Sequence, residues 1–257
     1  MKALLRHELI QLFRNPWLYL YFGVLFFSTE IILQLAGGAE EKSVLSVLHL
    51  SLLLVPIGSS LFALIHWYGS ESFLQSVLIQ PISRTQIFFS RFLALVIATT
   101  ICVGFGLAVP LIGIGSGLGN WFFLLFLSVT INLSFLALSL LFCVMFRDRL
   151  RGFGYMLGLL GYFLIIHDAA VFWGIILFNQ YPITEAVLGS VFLNPLSIAQ
   201  FLILARFEKE SMMGGLQFFL SRSVGSQILY GADVLALQLW WILPIWLGIK
   251  KFKKVMF

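Results

Sequence analysis

His167 and Asp168 set an imidazole beside a carboxylate in GYFLIIHDAAVFWG, a run with no other charge. Ionisable groups inside apolar spans are candidates for transport paths, and this pair lies too near the middle of its span to reach either end easily. Adjacent helical residues point about 100° apart and cannot jointly face one ligand without help from neighbouring helices, so a buried, hydrogen-bonded pair that ties helices together is the simpler reading. Met212 and Met213 offer soft thioethers of the kind that bind copper, although no Cys or His stands near them and packing is the simpler role. Cys102 and Cys143 lie far apart in apolar runs without metal-type spacing, and they read as small core residues.

Enzyme chemistry is not legible. The G-x-x-x-x-G-K-[ST] phosphate loop is absent, H-E-x-x-H is absent although His7 and Glu8 are neighbours, and GIGSGLG around Ser116 has Ile114 where G-x-S-x-G needs glycine. The expectation is a non-catalytic chain with no bound cofactor and no metal site.

The elements that position these residues are membrane spans. Of 257 residues, 60% are hydrophobic and 11% charged, too apolar a balance to fold into one soluble core without exposing large greasy surfaces. Six runs are long enough to cross the hydrocarbon as helices: about 17–36, 44–67, 87–114, 121–146, 153–178 and 229–249. The expected fold class is an all-α integral membrane protein, a single transmembrane permease domain over 1–257. The first run is too long for a cleaved signal, and losing it would leave an odd number of spans.

With both termini in the cytoplasm, the inner segments hold Lys2, Arg6, Arg14, Arg84, Arg91, Arg147, Arg149, Arg151, Lys250, Lys251, Lys253 and Lys254. Only Lys42, Arg206, Lys209 and Arg222 are left outside, which is the positive-inside pattern. The net charge of +5 then lies along anionic head groups, and no nucleic-acid partner is needed to explain it. Glu30 and Asp233 lie toward outer span ends, and His49 and His66 read as packing or interfacial residues. Gly154 and Gly158 have the spacing that lets helices approach closely. Gly104, Gly106 and Pro110 predict a kink in the outer half of span three.

One polar stretch stands out between spans two and three, ESFLQSVLIQPISRTQIFFSR. Ser70 can cap a short helix led by Glu71, with Phe73, Leu74, Val77 and Leu78 on one face and Glu71, Ser72, Gln75 and Ser76 toward the other. Pro81 stops it. Ser83 and Gln86 then form a capping box, with Ile82 and Ile87 placed as a hydrophobic staple. Arg84 and Arg91, seven apart, are expected to reach lipid phosphates from one side of the new helix. A rigid elbow of this kind suits a lever pushed by a cytoplasmic partner. On the outer side, 179–228 is too long for a structureless loop, and its apolar runs 186–193 and 198–204 predict re-entrant or interfacial helices.

Glu71 and the run Gln80-Pro81-Ile82-Ser83-Arg84 resemble the first coupling helix of ABC-2 exporter permeases, and RHELIQLFRNPW resembles the amphipathic helix before their first span. The resemblance implies an ABC-2 exporter-type transmembrane domain in a bacterial inner membrane. It also implies a second copy of the chain and a separate cytoplasmic ATPase that uses the ATP, coupled through Glu71, Phe73, Gln80, Pro81, Ser83 and Arg84. More narrowly, NPLSIAQFLILARFEKESMMGGLQFFLSR and the basic tail are similar to the NosY permease family of nitrous-oxide reductase maturation, on Asn194, Pro195, Ala199, Met213 and Gly214. That likeness implies a periplasmic copper-binding partner docking near Asn194, Pro195, Met213 and Gly214, and a copper chaperone. Export of another cargo, such as a drug, lipid or peptide, is the alternative. A secondary transporter is the more distant one, with only His167 and Asp168 to offer it a site.

Overall fold

The computed structural model describes residues 2–37, 40–79, 82–110, 118–178, 180–181, 184–207 and 226–254, and all regular structure among them is helical. Six helical stretches are long and apolar enough to cross a membrane: Pro16–Leu35, Lys42–Gly69, Arg84–Ala108, Gly119–Met145, Arg149–Leu177 and Gly231–Lys253. The chain forms two compact units, Met1–Leu157 with Trp241–Phe257, and Gly158–Trp240.

The first unit begins with α1 (Lys2–Phe13) and α2 (Pro16–Leu35). Asn15 caps α2 by accepting the Trp17 N–H at 3.0 Å, and Pro16 opens the first turn, where its missing donor costs nothing. Next come α3 (Glu40–Gly69), α4 (Glu71–Leu78), α5 (Arg84–Ala108), α6 (Leu118–Met145) and α7 (Arg149–Gly161). Here α3 packs on α6, α5 on α2 and α6, and α1 on α5.

In lipid, helix association relies on close approach and polar contacts rather than on expelling water. Both appear in this unit. Gly58 lies under the Tyr21 ring and Gly106 against Leu25, where any added Cβ would collide. Asn132 donates to Thr99 at 2.9 Å across the α5–α6 seam, and Ser128 donates to Ser51 at 3.2 Å across α3–α6.

Two sequence expectations change. Pro110 does not fall inside α5, which ends at Ala108, but in the tighter turn that follows, so it bends no part of that helix. Gly154 and Gly158 have open space around them, so their spacing serves no close helix approach among the described residues.

In the second unit, a π turn (Tyr162–Ile166) follows α7 along the chain and passes into α8 (His167–Leu177). The short helices α9 (Thr184–Val191) and α10 (Pro195–Phe207) follow, in the region where re-entrant helices were expected. The last helix, α11 (Ser226–Lys254), runs through Pro244. Internal proline is tolerated in membrane helices, where neighbours can satisfy the freed backbone groups.

Candidate coupling site

The α4 elbow is built as the sequence pattern requires on its two faces. Leu74 and Val77 are buried, while Glu71, Ser72, Gln75 and Ser76 are exposed and Phe73 is half-buried. Ser83 restarts the chain as a helix, accepting the Gln86 N–H at 3.4 Å, and Ile87 is buried behind it. Gln80 and Pro81, central to the expected turn, lie outside the described residues, as do Met212, Met213 and Gly214.

Arg91 corrects the expectation for its side chain. Instead of reaching lipid phosphates it is buried, with Nε donating to Glu8 Oε1 at 3.0 Å and Nη2 to the Ser70 hydroxyl at 2.8 Å and carbonyl at 3.2 Å. Its guanidinium also lies over the Trp67 ring, 5.1 Å from the centroid. The reason is helical phase: Arg91 shares the buried stripe of Ile87, Phe88, Ala94, Leu95 and Ala98, so the face that packs on α1 carries it inward.

Glu8 answers this buried charge from α1. Its Oε2 is 2.7 Å from His66 Nε2 and its Oε1 holds Arg91. Burial alone pushes the Glu8 carboxyl upward, but the His66 hydrogen bond and the Arg91 charge outweigh it and hold the group below its ordinary value. Ser70 does not cap α4 with its side chain, because its hydroxyl donates to the His66 carbonyl at 2.6 Å and accepts from Arg91. The residues that start α4 are thereby locked to α1, α3 and α5 at once.

Further contacts fix the elbow from other sides. Trp67, Phe88 and Phe252 form a ring triangle with centroids 5.8–6.4 Å apart, and Gly248 leaves room for Phe88. Arg84 donates to the Lys253 carbonyl at 3.3 Å. Tyr68 donates to the Phe146 carbonyl at 2.7 Å above Gly152, where a Cβ would meet the phenol oxygen. On the α1 side, the rings of His7 and Phe73 lie 4.5 Å apart. What remains open is the polar face of α4 with Ile79 at its end, 88% exposed.

The sequence reading had left Glu8, His66, Ser70 and Arg91 as unconnected residues. A usable signal was present, since Glu8 shares a face with Leu12 and Arg91 interrupts an apolar stripe. A charge in such a stripe requires a partner.

The other candidate residues gather in the second unit. His167 is buried with Nδ1 3.1 Å from Asp168 Oδ1 and Nε2 3.0 Å from the Ser190 carbonyl. Asn194 and Pro195 are also buried, and their place is inside the turn between α9 and α10. Asn194 accepts the Leu196 N–H at 3.0 Å and donates to the Phe163 carbonyl at 2.9 Å, and Ser197 donates to Asp168 at 3.1 Å. Among the described residues no group of three His, Cys, Asp or Glu could hold a metal.

A family model described as ABC-2 family transporter protein matches residues 74–256. The chain belongs to that family. It is the permease subunit of an ABC transporter, and membership implies a partner ATPase and pairing of permease subunits. The matched stretch of this ABC-2 permease runs from within α4 to the end of α11 and takes in Ser83, Arg84, Arg91, His167, Asp168 and Asn194. No curated protein matches the chain.

Proposed function

We propose that the elbow from Glu71 to Arg84 is where a separate cytoplasmic ATPase drives this ABC-2 permease, and that both chain termini lie on that same side in a bacterial inner membrane. The carrying observation is the asymmetry of α4. One face is locked through Ser70 and Arg91 to Glu8, and the opposite face presents Glu71, Gln75 and Ile79. A push on the open face is therefore delivered to α1, α3 and α5 together, because all three share the buried charge cluster. The outcome would be a tilt of spans two and three that remodels the far side of the membrane, with or without movement of a cargo across it.

The test is Glu71→Lys combined with Ile79→Asp in the full transporter. Association with the ATPase should fall about tenfold or more, as expected when exposed anchors of an interface are lost, while the melting temperature of the permease is unchanged. Full ATPase association in this variant would overturn the proposal.

A narrower reading gives the permease a role in assembling the copper–sulfur centre of nitrous-oxide reductase, with a periplasmic copper-binding partner and a copper chaperone. Its support is the sequence likeness at Asn194, Pro195, Ala199, Met213 and Gly214. Deleting the gene and measuring reductase copper content tests it, and a fully loaded reductase would refute it while leaving the coupling proposal intact.

A further inference from the structure

The His167 node contains two competing partners for one ring nitrogen, and a proton decides between them. Nε2 faces the Ser190 carbonyl at 3.0 Å, an acceptor without a proton, so Nε2 carries hydrogen. Nδ1 meets an acceptor and a donor together: Asp168 Oδ1 at 3.1 Å and Asn194 Nδ2 at 3.3 Å. The Asn194 amide is oriented independently, because its oxygen takes the Leu196 N–H and its nitrogen faces the Phe163 carbonyl. A bare Nδ1 accepts from Asn194 and sets its lone pair against an ionised carboxylate. A protonated Nδ1 serves Asp168 and faces the Asn194 N–H instead.

The surroundings make this proton exchangeable. Asp168 is 51% exposed on its side chain, on a face of the span whose exposed neighbours include Ile165, Ile166 and Phe172. Asp168 lies nine residues, roughly 14 Å of helix, before Leu177. An ionised carboxylate at such depth is costly unless a cation or proton accompanies it. Of the described groups packed on the node, α9 and α10 bring the hydroxyls of Ser190 and Ser197, and the π turn brings Tyr162, its ring centroid 6.0 Å from that of His167. No arginine or lysine contacts it among the described residues.

We infer that His167 and Asp168 form a proton-binding site within the membrane span, and that its occupancy selects the partner of Nδ1. With the proton present, Nδ1 donates to Asp168. Without it, Nδ1 accepts from Asn194, the residue that caps α10, so the proton sets how the turn between α9 and α10 is held to the π turn.

The test uses the full chain in lipid nanodiscs with dicyclohexylcarbodiimide, which adds a protonated carboxyl O–H across one C=N bond and rearranges to an N-acylurea retaining the whole reagent. Mass spectrometry reads the adduct at Asp168, with Glu30, hydrogen-bonded to Gln34 at 3.1 Å, as the reference carboxyl. His167→Gln keeps a donor for the Ser190 carbonyl but removes the titratable Nδ1. At about pH 7 the Asp168 adduct should be roughly tenfold more abundant in H167Q than in the unaltered chain, since an adjacent cation favours the unreactive carboxylate, and the Glu30 adduct should be equal in both. An equal or smaller Asp168 adduct in H167Q overturns the inference. The unaltered chain gives a reading that does not depend on the variant folding: at about pH 5.5 its Asp168 adduct should be smaller than its Glu30 adduct, because the proton held at Nδ1 keeps the Asp168 carboxylate ionised. An Asp168 adduct equal to or larger than the Glu30 adduct at that pH also overturns it.

Discussion

The Glu8–His66 contact and the His167–Asp168 contact each set an imidazole against a carboxylate, at 2.7 and 3.1 Å, yet their surroundings differ. In the first, the second carboxylate oxygen is held by Arg91, a cation that cannot lose its charge in a protein, and all three side chains are buried. In the second, the carboxylate is half exposed and accepts from the uncharged Ser197 hydroxyl, while the uncharged Asn194 amide faces the imidazole. A permanent cation makes a histidine–carboxylate pair a fixed joint. Its absence leaves the charge of the pair to be decided by proton occupancy.

The comparison breaks most sharply at Arg91. Arg91→Met alone strands a buried carboxylate and should cost about 3–5 kcal/mol, whereas Arg91→Met with Glu8→Leu should recover most of that loss. Thermal unfolding in nanodiscs reads both variants, and equal losses in the single and the double would mean that Arg91 acts through packing on Trp67 instead.

A smaller effect should come from acid, and its sign follows from Glu8. The Glu8 carboxyl is held below its ordinary value, so its stabilising contribution is intact above the unfolded-state value of about 4.3. That contribution fades as pH falls through the lowered folded-state value. The unaltered chain should therefore lose melting temperature below about pH 4.3 more steeply than Glu8→Gln does. Parallel curves would show that the fixed joint is not ionic.

Much of this architecture could be read from the chain itself. Length and hydropathy locate the six spans, and Ser83 and Ile87 mark the restart after the elbow because capping and stapling are local events. The pairing of Glu8 with His66 and Arg91 was not legible, because it joins residues 58 and 83 positions apart and depends on which faces of α1 and α5 meet. Arg91 was misplaced for the same reason: spacing from Arg84 gives its side of a helix, but not what covers that side. The π turn at Tyr162–Ile166 has no local marker, since its residues, YFLII, are apolar or aromatic and give no turn signal.

Phe252 carries a consequence for how this protein is made. It is buried against Trp67 and Phe88, so the underside of the elbow is completed by a residue of the sixth span, far along the chain from α4. A nascent chain whose final span has not yet inserted lacks that wedge and the Lys253 carbonyl that Arg84 bonds. The packing behind α4 is thus finished only once the sixth span is inserted, which makes a competent elbow a late product of membrane insertion.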